Sequence, residues 1–168
     1  DPVNLGAVLR SAAFFQSSGV VCERGTSRLT AVASKASAGA AELLPLHWTR
    51  NLTKLLERAH AQEWQVAGTT LPEPGDESFG VEAQSLETWL PHCARQGGGA
   101  VLVLGSEGHG LRSCVQRSCG VLLRIGGGDS GSNGLDSLNV SVAAGIAIHA
   151  LRGALGPAEG AAANKHAV

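Results

Sequence analysis

Val101-Leu102-Val103-Leu104-Gly105-Ser106-Glu107-Gly108-His109-Gly110-Leu111 decides the fold. Four apolar residues in a row, β-branched at alternate positions, read as a buried strand. The strand runs directly into a glycine-dense turn that carries one carboxylate, Glu107. Gly105, Gly108 and Gly110 open backbone angles closed to other residues and let a ligand approach the main chain. Strand, glycine turn, helix is how open parallel sheets build a ligand crevice at the carboxyl ends of their strands. Alone, the stretch predicts a nucleotide-like ligand at a strand end.

Downstream, Leu111–Cys119 reads as a short helix and Val121–Ile125 as a strand. Gly126–Gly134 is too rich in glycine for regular structure, and Ser137-Leu138-Asn139 closes that loop. Val140–Leu155 is a long helix with small residues through its middle, and residues 156–168 form an Ala/Gly-rich, flexible tail. Upstream, residues 1–15 carry helix start signals: Asp1 or Asn4 as N-cap and Pro2 in the first turn. Leu5, Val8, Leu9 and Ala12 share one face. Arg10 lies off that stripe, either as a solvated charge or as a phosphate clamp, for which its guanidinium suits.

Gly19 ends this helix and Val20–Cys22 is a short strand. Residues 30–44 suggest one helix, dense in small residues and closely packed. Leu46–Trp48 is a strand, Asn51 caps a helix over Leu52–Gln62, and Trp64–Thr69 is a further strand. Residues 71–80, with Pro72, Pro74 and Gly75, read as a surface loop. Leu86–Leu90 is a short helix at most. Strands alternating with helices predict one α/β domain with a mostly parallel sheet flanked by helices.

Composition bounds the function. The chain has 168 residues, 43% apolar and 16% charged, enough for one sizeable core. It contains no methionine. No run reaches the roughly 18–20 apolar residues of a membrane span. A formal charge of −1 argues against a stand-alone nucleic-acid binder with a global basic footprint. Cys22, Cys93, Cys114 and Cys119 form no C-x-x-C pair and are read as reduced thiols, with no metal site.

Common nucleotide and hydrolase signatures fail. There is no P-loop; Gly105-x-x-Gly108-x-Gly110 reverses the dinucleotide spacing; no G-x-S-x-G elbow surrounds Ser106. His109 beside Glu107 is read as a solvated loop residue. Strand, glycine turn and helix alone would also fit a dinucleotide-dependent oxidoreductase.

Three segments in order sharpen the reading: Asn4-x-Gly6-x-x-x-Arg10; Leu104-Gly105-Ser106-Glu107-Gly108-x-Gly110-Leu111; and Ser137-Leu138-Asn139-Val140-Ser141-Val142-Ala143. Together they resemble the three motifs of the SpoU (TrmH-like) RNA ribose 2′-O-methyltransferases of the SPOUT superfamily. The resemblance runs from Asp1 to about Leu151 and includes the small-residue stretch Ala36–Ala41. It is most similar to the branch, mitochondrial enzymes included, that methylates a guanosine of large-subunit ribosomal RNA.

The resemblance implies an α/β trefoil knot over residues 1–155, a rare exception to unknotted chains, tied by the segments around Gly105–Leu111 and Ile125–Asn139. It implies S-adenosylmethionine as cofactor, held by Leu104, Gly105, Ile125, Leu138 and Asn139 with Thr69 close by, and no metal. It implies ribosomal RNA as substrate, no membrane, the mitochondrial matrix as compartment, and a homodimer in which Arg10 of one subunit completes the site of the other. Arg10 would bind the phosphate beside the target ribose; a guanidinium stays protonated at neutral pH, which argues against it as the base. Asn4, Glu107, Ser137 and Asn139 would orient Arg10, the ribose and the loop. The other reading of these four is architectural: Glu107 holding turn amides, Asn139 capping the last helix. A non-catalytic RNA or ribosome-assembly factor on the same fold is the alternative function.

The sequence departs from the family pattern in three places. The strand that precedes Asp1-Pro2 in the family is missing from the sequence, which predicts an exposed sheet edge. The upstream RNA-binding domain common in this branch is missing from it too. Gly126 stands where the family has a proline, in a longer and more glycine-rich loop.

Overall fold

A computed structural model describes residues 1–26, 28–70, 81, 83–96, 98–106, 108–126 and 137–156. The elements are α1 (Pro2–Phe14), β1 (Val20–Glu23), α2 (Ala31–Ser37), α3 (Ala40–Leu43), β2 (Leu46–Thr49), α4 (Leu52–Ala61), β3 (Gln65–Thr69), β4 (Ala83–Ser85), α5 (Leu86–Gln96), β5 (Ala100–Val103), α6 (Ser113–Arg117), β6 (Val121–Arg124) and α7 (Val140–Leu155).

All strand pairing within the sheets is parallel, as the alternation of elements predicts. The strands divide into two sheets, where the sequence suggests one. β1 pairs with β2, and the larger sheet has the order β4-β6-β3-β5. β1 and β2 are thus both edges of the smaller sheet, and β4 and β5 are the edges of the larger one. Val66 and Ala67 of β3 and Val121, Leu122 and Leu123 of β6 are buried, as befits central strands covered on both faces.

Three apolar clusters form the core. Under α1, Leu5, Leu9 and Ala12 meet Cys22, Ala33, Ala40 and Leu44. One side of the larger sheet carries Leu86, Trp89 and Cys93 of α5 with Ala147 and Leu151 of α7 against Val121 and Leu123. The other carries Leu56 of α4 with Val103, Leu111, Val115, Cys119 and Leu122. α1 lies unusually close to α2. A Cβ on Gly6 would stand 2.4 Å from the Ala33 carbonyl oxygen and 2.6 Å from the Ala36 Cβ.

Four local expectations change. The helix over residues 30–44 breaks in two, because Ala38 and Gly39 both take positive φ, 51° and 88°. Buried Ser37 joins the pieces: its hydroxyl donates to the Ser34 carbonyl and accepts from the Ala41 amide. The helix stopped at Leu90 instead continues through Pro91 to Gln96. Trp89 and Cys93 are buried on either side of the proline and hold the segment helical despite the lost hydrogen bond. β4, of three half-buried residues, has no apolar run to reveal it. α1 ends at Phe14, ahead of Gly19, with Gln16 at φ 59° just beyond. The surface loop at 71–80, most of the Gly126–Gly134 loop and the tail from 157 lie outside the described residues.

Candidate functional site: the carboxyl edge of the larger sheet

Because β3, β5 and β6 run parallel, their carboxyl ends meet on one edge. Thr69 closes β3, and its hydroxyl donates to the Val103 carbonyl of β5 at 3.4 Å. The next amide, Thr70 N–H, donates to the Leu123 carbonyl of β6 at 3.0 Å. Leu104 and Gly105 follow β5 and Ile125 follows β6, all three half-buried. Ile125 packs on the cluster of Trp89, Leu123 and Ala147. Four of the residues expected around the cofactor, Thr69, Leu104, Gly105 and Ile125, thus share this edge.

The glycine turn after β5 closes on itself. Ser106 N–H donates to the Gly110 carbonyl at 3.0 Å and Gly110 N–H returns to Ser106 at 2.9 Å. Gly110 takes φ +60°, and a Cβ on Gly105 would lie 2.5 Å from the Gly110 carbonyl carbon, so the close approach excludes a side chain at 105. Leu111 anchors the turn in the core. The Gln116 side-chain amide donates to the Leu111 carbonyl at 3.0 Å. Arg112 pairs with Glu23 at the end of β1, at 2.6 Å. This last contact, unanticipated in the sequence, ties the turn to the smaller sheet across 89 residues of chain; nothing local marks the two residues as partners. Glu107 lies outside the described residues.

The first and third motifs touch. Asn139 caps α7, its Oδ1 accepting from the Ser141 amide at 2.8 Å and from the Ser141 hydroxyl at 2.6 Å. Its Nδ2 donates to Oδ1 of Asn4 in α1 at 3.1 Å. Asp1, the other N-cap candidate of the sequence, caps α1 through the Val3 amide, which frees Asn4 for this contact. Ser137 and Leu138 precede the cap and are exposed, Leu138 to 51%.

Arg10 stands further along α1, exposed, on the rim of a groove of about 580 Å³ between α1 and α7. Ala7, Ser141, Val142, Gly145 and Ile146 line it. His149 stacks obliquely on Phe15 at its far end, ring centroids 5.0 Å apart. Both rings were missed in the sequence, where neither belongs to a motif. Of the residues grouped with Arg10, the structure joins Asn4 to Asn139; Arg10 lines the groove, and neither asparagine is among its lining residues.

Three of the four cysteines, Cys22, Cys93 and Cys119, are buried, and Cys114 is exposed. Burial pushes Cys119 up to about 11 and raises Cys22 and Cys93 as well. Among the described residues no three His, Cys, Asp or Glu side chains cluster as metal ligands would. No helix among them is long and apolar enough to cross a membrane.

Residues 1–149 match the model of the SpoU rRNA methylase family. The chain belongs to that family. It is 44% identical over 155 residues to the rRNA methyltransferase 1, mitochondrial, of Homo sapiens, covering 90% of this chain and 42% of that protein. The protein of the same description in Schizosaccharomyces pombe is 37% identical over 154 residues, covering 90% and 48%. Our SpoU-family chain thus spans less than half the length of these relatives. An AdoMet-bound rRNA methyltransferase from Sinorhizobium meliloti shares its fold with a TM-score of 0.73 at 25% identity, over 92% of this chain and 53% of that one.

Proposed function

We propose that this SpoU-family domain catalyses S-adenosylmethionine-dependent methylation of a ribose 2′-hydroxyl, that of a guanosine, in large-subunit ribosomal RNA of the mitochondrion. The observation that carries the proposal is the Asn4–Asn139 hydrogen bond, which unites the first and third motifs across 135 residues. The relatives described as mitochondrial rRNA methyltransferases support the substrate class and the compartment.

The carboxyl edge fits the cofactor. Half-buried Leu104 and Ile125 offer apolar cover to an adenine, and the Thr69 hydroxyl and the main chain around Gly105 offer polar partners. Leu138 supplies a further apolar side chain from the third motif. When bound, S-adenosylmethionine supplies an activated methyl group, so the protein needs to bind, orient and exclude water. Arg10 carries a fixed, planar cation suited to the phosphate next to the target ribose. Asn4 and Asn139 hold the start of α7 against α1, and so fix Ser137 and Leu138 relative to Arg10. Glu107 and Ser137 complete the polar set around the ribose, the carboxylate of Glu107 being an acceptor for a hydroxyl proton.

A homodimer belongs to the same proposal. The groove between α1 and α7 exposes Val142 and Ile146 beside Arg10. An apolar strip bordered by a catalytic cation suits a second copy whose site that cation completes.

The test is transfer of labelled methyl from S-adenosylmethionine to ribosomal RNA by the intact protein, with the product mapped by its resistance to alkaline cleavage. Arg10→Ala is expected to abolish turnover and leave S-adenosylhomocysteine binding within about twofold. No label on any ribosomal RNA, with full rescue of a deletion by Arg10→Ala, would sink the proposal and leave a non-catalytic RNA factor. Equal loss of turnover and cofactor binding in Arg10→Ala would show Arg10 to be misassigned.

A further inference from the structure

The opposite, amino edge of the larger sheet carries a second cavity, of about 490 Å³. Its floor is Val66 and Val121, its wall is Trp89, and Glu63, Trp64 and Gln96 stand around it. That volume lies within the range of pockets that hold small organic groups.

Trp64 has an unusual setting. It is 39% exposed although it adjoins a buried strand. A Cβ on Gly99 would lie 2.6, 2.7 and 2.8 Å from its Cδ2, Cε3 and Cε2. Near-equal distances to atoms at the ring fusion mean that Gly99 sits over a face of the indole and not against its edge. The glycine therefore backs one face, and much of the remaining surface is open to solvent. An indole backed on one face by glycine and partly exposed beside a cavity suits a stacking contact.

The topology adds charge around it. α4, α5 and α6 lead into β3, β5 and β6, so their carboxyl ends crowd this edge. Their last turns carry Arg58 and His60, Arg95, and Arg117. Helix dipoles account for basic residues at such ends; they do not account for a partly exposed tryptophan lining a cavity among them. His60 Nε2 donates to the Ser118 carbonyl at 3.0 Å and pins α4 to the exit of α6.

We propose that this cavity holds an unpaired base of the RNA substrate, stacked on Trp64, with Glu63 and Gln96 meeting its polar edge and the surrounding basic side chains meeting its phosphates. Single-stranded RNA is gripped by this combination of aromatic faces and cations. β3 spans five residues, at about 3.3 Å each. The base held here is thus roughly 15 Å from the carboxyl edge and is not the nucleotide being methylated. The inference rests on the RNA substrate proposed above.

The test uses the intact protein and a ribosomal RNA fragment carrying 4-thiouridine. Irradiation is expected to yield an adduct on the peptide containing Trp64. Trp64→Ala should weaken RNA binding about five- to a hundredfold, the range that loss of one base stack gives. Trp64→Phe should restore most of it, and S-adenosylhomocysteine binding should stay unchanged in both. Arg95→Gln should lower the salt dependence of RNA binding by about one phosphate contact. If the protein methylates RNA while Trp64→Ala binds it as wild type does, or if the adducts fall elsewhere, the inference fails and the functional proposal stands. Loss of a protein partner, with RNA affinity intact, would also overturn it. Should Trp64→Ala not fold, the wild-type adduct and Arg95→Gln decide: both positive support the site, both negative exclude it. An absence of methylation bears on the function alone.

Discussion

Asn139 does two jobs with one side chain. Its oxygen caps α7 and its nitrogen reaches Asn4. Asn139→Ala is expected to cost about 0.5–2 kcal/mol through the cap alone, read from urea midpoints. A double-mutant cycle with Asn4→Ala should return a coupling of about 0.5 kcal/mol or more, since the two are in contact; strict additivity would mean that the bond contributes nothing. Cys119 gives a second prediction. Its thiol donates to the Val115 carbonyl in the core, and burial holds it at about 11, above the roughly 8.5 of a free thiol. The unfolded chain releases this proton first, so stability is full below about pH 8.5 and falls as pH rises toward 11. Urea midpoints across this window should fall more steeply for the wild type than for Cys119→Ala; parallel curves would remove the argument. At this scale the sequence was most legible where a residue acts through its neighbours. Asn139 carried two readings, orienting the substrate or capping the last helix, and the structure shows the cap. Its second partner lies 135 residues away, and no local pattern encodes that. The Arg112–Glu23 pair was illegible for the same reason.

Whole elements were legible where periodicity and caps agree. α7 runs over the range its apolar spacing predicts, and α4 starts after Asn51 as its cap predicts. The misreadings fall where tertiary burial overrides a local signal: Pro91, which ends helices in isolation, and the Ala38-Gly39 break inside a helix-forming run. β4 escaped because three half-buried residues carry no period. The close contact of α1 with α2 at Gly6 predicts a sharp response. Gly6→Ala drives a methyl toward the Ala33 carbonyl, which belongs to a helix and cannot swing aside. Overpacking of this kind costs about 1–3 kcal/mol. Thermal unfolding should move down by several degrees, and an unchanged midpoint would mean that α2 yields more easily than its packing implies.

At the scale of the whole molecule, strand–helix alternation correctly announced parallel α/β architecture. The split into two sheets was not announced, because the sequence marks strands and not their neighbours. The homodimer proposed above would meet at the groove between α1 and α7. Replacing Ile146 by Asp puts a charge on its exposed apolar strip. If two copies meet there, sedimentation of the intact protein should shift from dimer to monomer, and methyl transfer should fall at least tenfold while S-adenosylhomocysteine binding persists. A dimer unchanged by Ile146→Asp would place the interface elsewhere.

The bond between Asn4 and Asn139 also has a consequence for synthesis. Within this domain α1 leaves the ribosome ahead of α2 and α3, which cover it and follow within about 40 residues. Its partner at the start of α7 comes 135 residues later. At ordinary translation speeds of about 5–20 residues per second, this interval lasts roughly 7 to 27 s. For that time α1 is packed on its early neighbours while its outward face, with Arg10 and Asn4, waits uncovered. A nascent chain released early would bury the first cluster and still lack the joined motifs. The joining of the two motifs is therefore a late event in the making of this domain, and a message cut short within it leaves Asn4 without Asn139.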